Sequence, residues 1–196
     1  MERKILNQVQ DDRKQTKAKN MKEILEKIKR KYEITDVLQK RDDLLFFSIG
    51  KKLLVDILNY LKELEGFTHL VMLSSVDWLE ENKFQLSYII NHPVNKYDIT
   101  IRVFIDRDKP VMDSIHQIWL QSATDQREIK ELFGIDFPGS PGVDDDFVLE
   151  DWDDIPPMRR DFDTLKYATE NFFPREGRQT HDTKEYMKSK LYPDKD

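Results

Sequence analysis

The sequence predicts an α+β domain, a mostly antiparallel sheet with helices packed on one face, followed by a long extended C-terminal segment. Three observations carry this. Lys83 to Asn91 and Asp98 to Asp106 alternate apolar and polar residues, the period-two mark of half-buried strands. Two stretches upstream repeat apolar residues at helical spacing. Beyond Gly134, prolines at 138, 141, 156, 157 and 174 recur too densely for long regular elements.

In chain order, residues 1–19 form a basic, polar N-terminal arm without strong periodicity. Met21, Ile24, Leu25, Ile28 and Tyr32 then mark an amphipathic helix over 20–33, with Asn20 as N-cap. Leu44 to Ile49 is a short apolar strand ended by Gly50. Leu53, Leu54, Ile57, Leu58, Leu61 and Leu64 give a second helix, closed by Gly66 in the C′ position. Three strands follow, over Phe67 to Trp78, Lys83 to Asn91 and Asp98 to Asp106, and the last leaves through the polar run Asp106 to Pro110. Asp113 or Ser114 is expected to cap a helix carrying Ile115, Ile118 and Trp119. Asp125 and Glu128 have capping-box spacing for another, which ends at Gly134. The compact domain is thus expected over 20–134. Residues 135–196 are expected to be an extended segment that lies against a partner, with a helical turn over Tyr186 to Leu191.

Composition sets the function classes. Hydrophobic residues make up 38% of the 196, enough for one modest core. Charged residues make up 36%, which fits a chain selected for heat and equally fits a heavily solvated surface. The absence of cysteine excludes disulfides, zinc–thiolate sites, cysteine-ligated iron–sulfur clusters and a cysteine nucleophile. No apolar run approaches the ~18 residues of a membrane span. The expectation is a cytoplasmic chain, with any link to a membrane going through another protein. Net charge is −6 but uneven: residues 1–33 carry eleven Lys/Arg against six Asp/Glu, and 142–163 carry nine Asp/Glu against Arg159 and Arg160. Such polarity suits partners of opposite sign, or two solvated surfaces.

Catalytic and metal patterns are absent from the sequence. His69, His92, His116 and His181 have no metal-binding spacing. Asp144-Asp145-Asp146 lacks the alternating oxygens and turn glycine of a calcium loop. Ser74-Ser75 is no nucleophile elbow, and no glycine-rich phosphate loop occurs. Glu128 and Glu131 sit on one helix, where capping and salt bridging suit them better than acid–base work. Arginines beside an extended Phe/Pro-rich chain do suit bidentate pairing across an interface. Spaced aromatics suit anchoring on a partner, or folding back on the chain's own sheet. The candidate partner-interface residues are therefore Arg127, Glu128, Phe133, Phe137, Trp152, Arg159, Arg160, Asp161 and Phe162; no catalytic, cofactor or metal residue is assigned.

These residues carry a resemblance. The order Arg127-Glu128, Phe133-Gly134-Ile135, Phe137-x-Gly139-x-Pro141, Asp151-Trp152 and Pro157-x-Arg159-Arg160-Asp161-Phe162 resembles the 30 kDa subunit of respiratory complex I. His69-Leu70, Val76-Asp77-Trp78, Ser114 and Ile118-Trp119 agree upstream, so the likeness covers about 67–163. The chain departs from the family at Thr124-Asp125-Gln126, at Ser140 within Gly139-Ser140-Pro141, and at the acidic Asp144 to Asp146. These departures favour a homologue in an archaeal membrane-bound hydrogenase or sulfane sulfur reductase complex over the NADH/quinone branch.

The resemblance implies a cofactor-free, non-catalytic structural subunit in the hydrophilic arm of an ion-translocating oxidoreductase, with residues 135–196 wrapping partner subunits and the chain held peripherally on the cytoplasmic face of the cell membrane through other subunits. Its implied partners are a large [NiFe]-hydrogenase-like subunit, a small iron–sulfur subunit and a ferredoxin-like cluster subunit, with the iron–sulfur clusters on those partners and no nucleic acid. Catalysis is expected from the assembly and not from this chain alone. The readings of another class are a standalone soluble enzyme using tail carboxylates and a nucleic-acid binder using the basic arm.

Overall fold

The computed structural model describes residues 21–172. The basic arm, the Asn20 cap and the expected turn at Tyr186 to Leu191 lie outside the described residues. The chain divides into two units, Met1–Asp161 and Phe162–Asp196.

In the first unit a helix, α1, occupies residues 21–31. A hairpin follows, β1 (Ile34–Arg41) and β2 (Leu44–Ile49), then α2 (Leu54–Glu63). The antiparallel strands β3 (His69–Trp78), β4 (Lys83–His92) and β5 (Tyr97–Asp106) come next, and α3 (Ser122–Phe133) completes the unit's elements. The strands make one sheet in the order β1-β2-β5-β4-β3. All its pairs are antiparallel except β2 with β5. The expected α+β class and mostly antiparallel sheet are therefore present.

Strand parity builds the core. Leu45 and Phe47 on β2, Phe84, Leu86, Tyr88 and Ile90 on β4, and Ile99, Ile101 and Val103 on β5 are all inaccessible to solvent on one face. Ile28 of α1 and Leu54, Ile57, Leu58 and Leu61 of α2 close over that face, and Ile129 of α3 joins them. Each such side chain contributes about 1.5–3 kcal/mol by burial. Tyr32 and Tyr60 meet at 5.8 Å between α1 and α2.

Four expectations need correction. The strand β1 has no counterpart in the sequence pattern: it is a mostly exposed edge strand, so it lacks the apolar alternation that marks a half-buried one. Residues 113–121 form turns and no helix. They are stretched along the outer edge of β3, where the Trp119 indole donates to the Thr68 carbonyl (2.9 Å) and the Gln121 amide to the Leu70 carbonyl. Asp125 does not cap α3, whose N-cap is Gln121; its carboxylate instead accepts the Leu73 N–H of β3 at 3.3 Å. Gly66 takes the left-handed φ of 78° expected of it but stands two residues past the C-cap Leu64.

The boundary expected at 134/135 also differs from the fold. Ile135, Phe137 and Val143 are buried in the same core as the sheet. Asp136 exchanges backbone hydrogen bonds with Pro110 (2.7 Å) and Met112 (2.9 Å). Residues 135–161 thus return along the chain's own body. In the second unit, Asp163 caps α4 (Thr164–Asn171) by accepting the Lys166 N–H at 2.9 Å, and the rings of Phe162, Tyr167 and Phe172 meet in series at 5.6 and 6.2 Å.

Candidate functional site

Asp77 stands near the end of β3 on the core-facing parity, where an apolar residue is the default. It is tolerated because Arg107, just past β5, donates Nε to Oδ1 at 2.9 Å and Nη2 to Oδ2 at 3.2 Å. Their side chains are 1% and 8% exposed. A buried carboxylate needs such a two-point partner. The pairing also holds the Arg107 guanidinium firmly in its charged form: the Asp77 hydrogen bond pushes its pKa up against the cost of burial, and Asp161 adds to it.

The returning segment plugs into this pair. Arg107 Nη2 reaches Asp161 Oδ1 at 2.7 Å. Arg159 grips Asp161 through Nε and Nη2 at 3.1 and 3.2 Å. The backbone N–H of Arg160 donates to Asp77 Oδ2 at 2.9 Å. Donation from Arg159 and then from Arg107 outweighs burial and pushes the Asp161 carboxyl down to about 2. Both guanidinium groups lie over the Phe84 ring, Arg107 at 5.7 Å and Arg159 at 5.9 Å, while Phe133 meets its edge at 6.3 Å. The Arg160 guanidinium turns outward to Glu80 at 2.5 Å, and both side chains are exposed.

A second set of ties runs along α3. Lys130 joins Asp136 at 2.7 Å and also pairs with Asp144. Burial works against the lysine's charge, but the two carboxylates hold its pKa above the ordinary value. Glu131 accepts the N–H groups of Phe147 (2.6 Å), Val148 (2.9 Å) and Leu149 (3.1 Å). Burial raises its pKa, and these amides more than offset that, so the carboxyl lies below its usual range. Arg127 stacks on Phe147 at 5.2 Å. The Met158 N–H donates to the Leu132 carbonyl at 3.0 Å.

Of the nine candidate interface residues, Phe133, Arg159, Arg160 and Asp161 are brought together around Asp77 and Phe84. Arg127 lies on α3 with the second set of ties. Glu128 is exposed on the same helix and makes none of these contacts. Phe137 is fully buried in the chain's own core. Trp152 is half-buried, its indole donating to the Ile155 carbonyl at 3.1 Å. Phe162 belongs to the second unit. Sequence reasoning used Asp77 only within the resemblance and assigned it no role, and it missed Arg107, Lys130 and the amide-binding role of Glu131. The available signal for Asp77 was its parity: position 77 follows the buried positions 73 and 75.

Comparison with known proteins bears on family and fold. The family described as "Respiratory-chain NADH dehydrogenase, 30 Kd subunit" matches residues 47–168. The C subunit of the NADH-quinone oxidoreductase of Moorella thermoacetica is 31% identical over 114 residues, covering 56% of this chain and 73% of that one. The C subunit of the F(420)H(2) dehydrogenase of Methanosarcina mazei is 27% identical over 121 residues, covering 58% and 72%. Among solved structures, a chain of the membrane-bound sulfane sulfur reductase, an archaeal respiratory membrane complex, superposes with a TM-score of 0.76 at 23% identity, over 83% of this chain and 97% of that one. The protein belongs to the family of the 30 kDa subunit of respiratory complex I and its complex-I-like relatives.

Proposed function

We propose that the chain is a structural subunit in the hydrophilic arm of a complex-I-like, ion-translocating membrane oxidoreductase. It holds a [NiFe]-hydrogenase-like large subunit and the iron–sulfur subunits in place, and contributes no chemistry of its own. One observation carries this reading. The side chains that carry the family resemblance at the end of the sheet, Asp77, Arg159 and Asp161, are tied with Arg107 into one intrachain ion-pair lattice. They rigidify the body on which partners would sit. Rigidity is what a spacer between electron carriers contributes, since tunnelling partners must keep fixed separations. No described helix is long and apolar enough to cross a membrane, so attachment to one would run through other subunits.

Two branches are open to such a protein. The hydrogenase or sulfur-reductase branch is supported by the departures at Ser140 and Asp144. The NADH/quinone branch is favoured by the 31% identity to the Moorella thermoacetica protein.

The test is purification of the tagged full-length chain from membranes of its native host, with identification of the co-purifying polypeptides. Cluster-bearing subunits and a large hydrogenase-like subunit are expected. A chain recovered alone, with turnover of its own, overturns the reading. Assaying the assembly with NADH, with hydrogen and with polysulfide separates the branches.

A further inference from the structure

One face of the sheet is filled by the helices; the other carries an arrangement that folding alone does not explain. The registers place Met72, Ile89, Thr100, Phe46 and Leu38 in one row across all five strands. A second row runs Val76, Gln85, Phe104. Met72, Val76 and Phe104 are 47%, 41% and 38% exposed, and Leu38 is 53% exposed. An antiparallel sheet with one face in water ordinarily turns polar residues outward. Rows there that are apolar but for Thr100 and Gln85 mark a surface made to be covered.

Between the two rows lies a polar one, Ser74, Ser87, Arg102, Ser48. Arg102 donates Nη2 to the Asp36 carbonyl at 2.9 Å, and no carboxylate among the described residues lies within ion-pair distance of it. Its Nε and the hydroxyl of Ser48, a residue only 3% exposed, are buried without partners. Buried donors of this kind are ordinarily satisfied, and a guanidinium is best satisfied by a carboxylate. The longest row crosses five strands, roughly 20 Å at the usual strand spacing, far more than a small anion covers. The terminal segments of this chain have the wrong sign: residues 1–20 hold six Lys/Arg against three Asp/Glu, and 173–196 hold six against five.

We infer that this open face docks a neighbouring subunit through an apolar polypeptide segment bearing an Asp or Glu, whose carboxylate meets Arg102 between the two rows. The inference rests on the reading of this chain as one subunit of a complex.

The test uses the native complex. Phe104→benzoylphenylalanine places a photo-cross-linker on the open face. The expected product is a peptide of a different subunit that contains a carboxylate residue. In parallel, Arg102→Met is expected to weaken retention of that subunit by roughly thirtyfold or more, the scale of losing one partner of a desolvated charge pair. Wild-type retention by Arg102→Met overturns the inference. So does cross-linking to residues 173–196 of the same chain, to a second copy, or to a peptide without Asp or Glu. An intact complex with no cross-link overturns the docking face alone, whereas a chain without partner subunits overturns the structural-subunit reading as well.

Discussion

Arg107 and Asp77 meet through two hydrogen bonds, 2.9 and 3.2 Å long, across thirty residues of sequence and at the buried end of two strands that are not neighbours in the sheet. Residues 159–161 close over that pair, so the contact fixes both the end of the sheet and the return of the chain. Its consequences can be measured.

Removing one partner leaves the other charge buried. Arg107→Met is expected to cost about 3–5 kcal/mol by chemical denaturation. Asp77→Asn keeps an acceptor for the Arg160 N–H, so the double variant Asp77→Asn/Arg107→Met is expected to recover part of that loss. A double variant as unstable as the sum of the two single ones would mean that the pair contributes no coupling.

Asp161 makes stability depend on acidity. Its carboxyl is pushed below the ordinary 3.8 to about 2, chiefly by Arg159. A depressed folded-state value contributes stability that is fully present above the unfolded value and is lost as pH falls through the folded one. The wild-type protein is therefore expected to weaken between about pH 4 and pH 2, and Asp161→Asn to flatten the curve in that window. Parallel denaturation-midpoint curves for the two proteins would rule out this role.

Glu131 gathers three amides of the 147–149 turn onto one carboxylate. Glu131→Ala is expected to accelerate hydrogen exchange at those amides by roughly ten- to a hundredfold, the scale of hydrogen bonds to a charged group. Exchange in the core strands should not change. Equal acceleration in β4 and β5 would instead mean that the turn is coupled to global unfolding.

Gly134 ends α3 at φ 77°, and a Cβ there would lie 3.2 Å from Pro156 Cγ. Gly139 has a similar φ of 80°, but a Cβ there meets nothing within 4 Å. Both alanine variants bear the left-handed backbone cost of about 1–2 kcal/mol. Gly134→Ala is expected to lose more, because the returning chain must also shift. Equal losses in thermal denaturation would show that the proline contact is slack.

Local pattern was enough to read much of this protein. Period-two alternation gave β4 and β5, helical spacing gave α1 and α2, and Gly134 gave the end of α3, because each is a relation among residues a few positions apart. The family resemblance was legible as well, since its motif runs along the chain. Only the tertiary structure decided the rest. β1 is a strand because β2 offers it a hydrogen-bonding edge, and no periodicity of its own announces that. The 113–121 segment forgoes a helix because Trp119 and Gln121 reach carbonyls at the start of β3 and just before it. Residues 135–161 return to their own body because Phe137 finds the core and Asp161 finds Arg107. Such pairings join groups dozens of residues apart, and their free energy arises only when the fold has brought those groups together and removed the water between them.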